Sequence, residues 1–308
     1  MPMAIIDGLL DGRGYVSVEM VSPYTIPQEQ DGTFHPDRTR EFFIAKAARA
    51  STGLDLKSPK EDERLVRYLI RHNHSSPLEM VNITFKIKCP ISISRQFLRH
   101  RTGKFNEFSQ RYSEVTEEIG RYKPAMDKNS IRGQSKMNAQ SSEDNLTIIQ
   151  KDDILQKMIE LEMMSEMMFQ GYQELIKLGL AREVARFYLP QSTYTELLMQ
   201  VDGNNLRKLI KLRCAPDAQQ EIRVYANAIK ELTRIFFPIL IDELEEEMDN
   251  LVLGKWEKRM IRERSIPSDL KSKSVIKHLE QLAKELNITL RSDSSSPPPW
   301  PMSPTKPE

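Results

Sequence analysis

Between Arg95 and Arg111 the chain sets four arginines, a lysine and a histidine against one glutamate: Arg95-Gln96-Phe97-Leu98-Arg99-His100-Arg101-Thr102-Gly103-Lys104-Phe105-Asn106-Glu107-Phe108-Ser109-Gln110-Arg111. Guanidinium forks meet phosphate oxygens two at a time, so such a density suits an anionic ligand. Asn106, Glu107 and Ser109 add the donors and acceptors that a nucleotide needs. The competing reading is a solvated basic helix end closed by ion pairs, and the added polar residues count against it. Ser109 reads as a hydroxyl for phosphate, not a nucleophile, because no histidine–carboxylate pair is arranged to activate it.

Three other groups invite chemistry. Cys214 follows Arg213 directly, and a neighbouring cation can lower a thiol's pKa. Successive helical side chains nevertheless diverge by about 100°, so Cys214 reads as packing and no thiolate nucleophile is expected. His72, His74 and Glu79 form an H-x-H-x4-E pattern that could hold zinc or iron. With five histidines in all and no clear further ligand set, no metal is expected. Cys89 falls on the inward face of an alternating run and reads as core.

The elements that must position these residues follow from periodicity. Residues 15–22 and 81–89 alternate as strands, the second most clearly. Pro90 is expected at the first position of a helix running through Arg101, which would set Arg95 and Arg99 on one face with Gln96 beside them. Asp37 is expected to cap a helix carrying Phe42, Phe43, Ala45, Ala47 and Ala48, and residues 60–72 to form a second helix with Leu65, Leu69 and Ile70 on one face. The polar stretch 127–145 reads as a mobile surface loop. Residues 152–178 carry Leu155, Met158, Ile159, Met163, Met167 and Leu175 at helical spacing, which reads as a methionine-rich core face and not a cofactor box. Shorter helices are expected over 181–189, 205–213 and 217–237, the last broken at Pro238. Helices with a few alternating strands make the class α+β: a helix-rich domain around a small, mostly antiparallel sheet.

Length and composition bound the function. The 308 residues are 39% apolar and 29% charged, enough for a real core. Forty-five basic against 44 acidic residues exclude a protein that grips duplex nucleic acid along its length. No apolar run approaches a membrane span, the N-terminus has no secretory character, and two cysteines make no disulfide framework. A cytoplasmic protein, with neither a membrane nor a nucleic-acid partner, is the expectation. Residues 274–286 read as an amphipathic helix. The Ser/Pro-rich stretch 292–308 reads as a disordered tail that could dock on a proline-reading module or be inert. The organisation expected is a catalytic domain over 1–255, a helical extension over 256–291 and the tail.

Arg99-His100-Arg101 followed after seven residues by Ser109 resembles the RHR-x7-S signature of the flavin-dependent thymidylate synthases. His72-x-His74-Ser75-Ser76-Pro77-Leu78-Glu79, Arg182-Glu183-Val184-Ala185-Arg186-x3-Pro190, Leu212-Arg213 and Gln219-x-Glu221-Ile222-Arg223 resemble further segments of that family, over roughly residues 10–250. The resemblance implies an enzyme in which FAD takes hydride from NADPH and methylenetetrahydrofolate supplies the carbon that turns dUMP into dTMP. It implies a homotetramer with shared active sites. Carried over by position, Ser76, Arg99, His100, Arg101 and Glu107 would hold FAD, with Asp202, Asn204 and Lys208 on the flavin side and His74 beside the ring. Gln96, Arg99, Glu107, Phe108, Ser109, Gln110, Arg111 and Arg186 would surround dUMP. Arg213 would face the uracil and favour loss of its N3 proton. Asp202, Lys208 and Asp217 depart from the family pattern, and an aspartate near a diphosphate would repel it. Two rival readings remain: a non-catalytic nucleotide- or RNA-binding relative using the arginines, and a metal-dependent hydrolase using the paired histidines.

Overall fold

The computed structural model describes residues 1–26, 39–136, 142–249, 255–263, 265–266 and 272–290. The chain divides into two compact units, 1–248 and 249–308. In the first, β1 (Ala4–Leu9) and β2 (Gly14–Ser22) lead to α1 (Phe42–Ala50), α2 (Pro59–Arg71) and the single turn α3 (Ser75–Leu78). Next come β3 (Asn82–Pro90), α4 (Ile91–Phe97), β4 (Lys104–Glu107), the two-residue strands β5 (Gly133–Gln134) and β6 (Ser142–Glu143), and the long α5 (Ile148–Lys177). The short α6 (Arg182–Ala185), β7 (Tyr194–Asp202), α7 (Gly203–Arg213), α8 (Gln220–Phe236) and α9 (Pro238–Asp249) complete the series.

The five-stranded sheet has the order β1-β2-β3-β7-β4, and every ladder in it is antiparallel. The α+β class expected from the pattern is what the chain adopts. Alternation in β3 buries Ile83, Phe85, Ile87 and Cys89. In β2 a bulge between Val18 and Met20 shifts the phase, so Val16, Val18 and Val21 all reach the core. That face packs beneath α4, α7 and α8 with Leu197, Met199, Leu206, Ile210, Ile222 and Ile229. On the other face Tyr15 donates to Glu196 at 2.6 Å and Lys86 pairs with Glu196 at 3.0 Å. Antiparallel sheets commonly keep one polar, solvated face in this way.

Several expectations change. Pro90 closes β3 and precedes α4, which ends at Phe97 instead of Arg101. Arg99 therefore leaves the helix and does not share a helical face with Arg95. Asp37 lies outside the described residues, and α1 begins after Glu41. The stretch 127–145 is not featureless: Gly133–Gln134 pairs with Ser142–Glu143. The largest correction concerns α5. Only Phe169 and Tyr172 of this helix are buried; of the expected stripe, Leu175 packs beside them and Leu155 and Met158 are half-buried, while Met163 and Met167 are 66% and 69% exposed and face outward within the chain. The helix is tied down instead by Arg121, which pairs with Glu162 and Glu166.

In the second unit α10 (Lys255–Glu263) and α11 (Lys273–Glu285) share a small core of Met260, Leu279, Leu282 and Ala283. The tail expected over 292–308 lies outside the described residues.

Candidate active site

The antiparallel register delivers the arginines to a defined place. Asn82, which opens β3, faces Asp202, which closes β7, and β4 begins opposite Gln200. Helix α4 therefore doubles back, and the Arg99–Arg101 turn returns to the end of the sheet where α3 lies. A chain of backbone bonds holds the turn: His100 N donates to Phe97 O and Gly103 N to His100 O, both at 2.9 Å.

Arg213, the last residue of α7, reaches this turn. Its Nε donates to His100 Nε2 at 3.1 Å, its Nη1 to Gln96 Oε1 at 3.4 Å and its Nη2 to the Gln96 carbonyl at 3.1 Å. A guanidinium carries five N–H donors, so two remain for a ligand. As an acceptor, His100 Nε2 has no proton, and the imidazole is neutral. Burial, then the Arg213 charge, lowers its pKa to about 4. Burial, then the Arg99 charge, pushes Arg213 below its ordinary value. Among the described residues Arg95, Arg99 and Arg101 have no ion-pair partner. Guanidinia without a carboxylate partner suit an anionic ligand.

The next stretch forms a second cluster. Glu107 accepts from Ser94 Oγ at 3.2 Å, and Phe108 packs against a small core of Val115, Phe169, Tyr172 and Ala185. Ser109 Oγ accepts from Arg111 N at 3.4 Å, and Gln110 Nε2 is buried without an acceptor. Arg111 lies 3.7 Å from Glu183 of α6, which brings the turn toward Arg186, whose guanidinium sits 6.0 Å from the Phe187 ring centre.

His74 and Ser76 belong to a third region, a cleft of about 640 Å³ walled by Ala47, Ala48, Leu65, Leu69, Pro77 and Met80. The His74 ring stacks 5.9 Å from Tyr68, and His72 lies 4.0 Å from the same ring. Glu79 accepts from Asn204 at 3.0 Å at a tight crossing: a Cβ on Gly203 would stand 2.9 Å from the Leu78 carbonyl. Asp202 caps α7, accepting from Asn205 N at 2.9 Å and from its side chain at 2.7 Å. Lys208 is exposed on the same helix. Among the described residues no three metal-ligating side chains converge.

Within one chain, then, Gln96, His100 and Arg213 touch, Ser109 and Arg111 approach α6, and His74 and Ser76 line a separate cleft. The contributions of Ser94, Tyr68 and Gln219 were not anticipated. Only Gln219 had any signal, as part of the Gln219-x-Glu221 segment. The donor set fits a diphosphate-bearing cofactor and a nucleotide: partnerless guanidinia, one orphaned buried amide and an apolar cleft nearby.

A helix-flanked antiparallel sheet thus sets arginines around the half-buried Arg213, a chemistry that suits an anionic ligand. The family model described as Thymidylate synthase complementing protein matches residues 36–239. The chain is 40% identical over 246 residues to the flavin-dependent thymidylate synthase of Thermus thermophilus, covering 79% of this chain and 87% of the relative. It is 36% identical over 250 residues to that of Dictyostelium discoideum, covering 81% and 80%. Among solved structures, the UMP/dUMP methylase PolB from Streptomyces cacaoi bound with 5-Br dUMP superposes with a TM-score of 0.60 at 27% identity, over 78% of this chain and 97% of that one. The chain belongs to the flavin-dependent thymidylate synthase family and is an enzyme.

Proposed function

We propose that the protein converts dUMP to dTMP by FAD-dependent reductive methylation, with methylenetetrahydrofolate as carbon donor and NADPH as reductant, and without a cysteine nucleophile. The observation that carries this reading is Arg213: a half-buried guanidinium, held on two sides, with two N–H donors left over. Beside a uracil ring such a group stabilises the anion left when N3 loses its proton, which raises the nucleophilicity of the ring carbon. Gln96 holds the guanidinium in register, and Arg99, Ser109, Gln110, Arg111 and Arg186 supply donors to the nucleotide, with Glu107 and Phe108 beside them. His100 stays neutral next to Arg213, so it adds no charge that would compete for the substrate anion.

For the cofactor, Arg99, Arg101, His100, Ser76 and Glu107 are the holding groups, with His74 at the cleft where ring systems stack and Asp202, Asn204 and Lys208 at its α7 side. These groups would hold FAD, which would supply the redox chemistry: hydride taken from NADPH and returned to the carbon that becomes the methyl group. The buried or half-buried cysteines are not suited to attack: burial raises Cys89 well above its ordinary value and Cys214 to about 11.

The division of the site residues into three regions of one chain supports a homotetramer in which neighbouring subunits complete each site. The exposed methionines of α5 supply an apolar surface for a second copy. Among the described residues no helix is long and apolar enough to cross a membrane, and two reduced cysteines favour a cytoplasmic setting.

The test is a visible spectrum of the purified protein, followed anaerobically on adding NADPH with and without dUMP. A flavin band that bleaches faster with dUMP, with dTMP formed when folate is added, is the expected result. A protein that takes up no FAD but binds dUMP would replace this reading with that of a non-catalytic nucleotide-binding relative.

A further inference from the structure

We propose that Gln219 and Glu221 are positioning residues that orient Gln96 and, through it, Arg213. The inference rests on the reading above, in which Arg213 faces the pyrimidine. Four side chains form a directed chain: Arg213 donates to Gln96 Oε1 at 3.4 Å, Gln96 Nε2 donates to Gln219 Oε1 at 2.7 Å, and Gln219 Nε2 donates to Glu221 Oε2 at 2.9 Å. An arginine can only donate and a carboxylate can only accept. The two ends therefore dictate the direction of every link. Flipping either amide would set donor against donor on one side and acceptor against acceptor on the other.

The chain is anchored where α8 begins. Gln219 stands at its N-cap and Glu221 in its first turn, where a carboxylate is favoured by the exposed N–H groups. The linker that leads there is pinned by Arg223, whose Nη1 donates to the Pro216 carbonyl at 2.8 Å. Because Arg213 ends α7 and Gln219 starts the approach to α8, the relay locks the two helix ends around the Arg99–Arg101 turn. His100 holds Arg213 at Nε and the relay holds it at Nη1, so the guanidinium plane is set from two directions. Its remaining N–H groups then point one way only. Gln219 and Glu221 touch no ligand in this scheme; they act on a residue that does.

The test compares Gln219→Leu, Glu221→Leu and Glu221→Gln in the full-length flavin-loaded protein. Both leucine variants are expected to lower kcat/KM for dUMP by about tenfold, with flavin content and dUMP-independent NADPH oxidation within twofold of the parent. Glu221→Gln keeps an acceptor and should recover most of the loss. A second readout does not need turnover: the His100 ring, followed by NMR and assigned with His100→Gln, should titrate higher by about one unit in Gln219→Leu as the guanidinium moves away. Leucine variants within twofold of the parent, an unmoved His100 titration, or a Glu221→Gln as impaired as Glu221→Leu would each overturn the proposal. If the parent itself makes no dTMP, the functional reading fails, and the His100 titration still decides whether the relay positions Arg213.

Discussion

Arg213 Nε donates to His100 Nε2 at 3.1 Å across 113 positions of sequence, and this bond fixes both partners: the histidine as a neutral acceptor, the guanidinium with its Nη atoms turned to Gln96. Lysine in place of Arg213 keeps a charge but loses the fork. Arg213→Lys should lower kcat for dTMP formation by roughly 10²–10³, the range found when one stabilising donor of an anion is removed. Flavin retention measured in the same preparation separates this loss from misfolding. Unchanged kcat would remove Arg213 from the chemistry.

Cys214 gives the opposite expectation. With burial pushing its thiol to about 11 despite nearby Lys230, only about one part in 10⁴ is thiolate at pH 7. Cys214→Ala should form dTMP at a rate within twofold of the parent, assayed by product formation. Complete loss would mean that a cysteine attacks the ring after all.

Asp202 offers a clean comparison because asparagine caps helices as well as aspartate does. Asp202→Asn should leave the thermal midpoint unchanged while raising FAD affinity, since a negative charge leaves the flavin side. Asp202→Ala should lose about 1 kcal/mol of stability with the cap. Titration of the apoprotein with FAD reads the first, and thermal unfolding the second. No gain in affinity for the asparagine variant would show that this carboxylate does not oppose the cofactor.

Glu41 sets a pH dependence of stability. The carboxyl is fully buried and accepts from Ile239 N at 2.7 Å and Leu240 N at 3.0 Å, yet burial outweighs these bonds and raises its pKa from 4.5 to about 7. An acid whose folded pKa is raised takes up a proton on folding. Its contribution is therefore complete below about pH 4.5 and falls as pH rises through 7, by at most about 3 kcal/mol. Denaturant unfolding at a series of pH values should show this decline in the parent and lose it in Glu41→Gln. An identical slope in both would assign the pH dependence to other groups.

The outward methionines of α5 predict association. Met163→Glu with Met167→Glu should shift the sedimentation coefficient to a smaller species and lower dTMP formation together, because the sites are proposed to be shared. A double variant that sediments like the parent would leave this face without that role.

What was legible in the sequence was whatever local periodicity encodes. The alternation from Val81 to Cys89 named β3 and its inward face, and Leu69 and Ile70 named the buried side of α2. The end of α4 was not legible, because His100 leaves the helix to meet Arg213 and a partner 113 positions away has no local signal. The exposure of Met163 and Met167 was missed for a different reason: periodicity says that a face is apolar and is silent on whether the same chain covers it. Glu41 illustrates a third kind of failure. It precedes α1, for which Asp37 was the expected cap, yet its carboxylate caps the first N–H groups of α9 almost two hundred positions on, a partner with no local signal. The arginine cluster itself was visible as composition, but the separation of the candidate residues into three regions required the fold.

The pairing of β3 with β7 also bears on how the protein is made. Gln96 leaves the ribosome well before Arg213, 117 positions later, and everything between them must be bridged before the two can meet. Such distant pairings slow folding, so the basic turn spends part of synthesis as an open, charged loop. Once the ends are joined, however, the entropy of the closed segment grows only with the logarithm of its length, about 0.6 kcal/mol for each doubling. A few residues inserted in or deleted from the surface stretch around β5 and β6 would change that term by a small fraction of a kcal/mol. The intervening segment is thus free to diverge in length among relatives while the Arg213–His100 junction stays where it is.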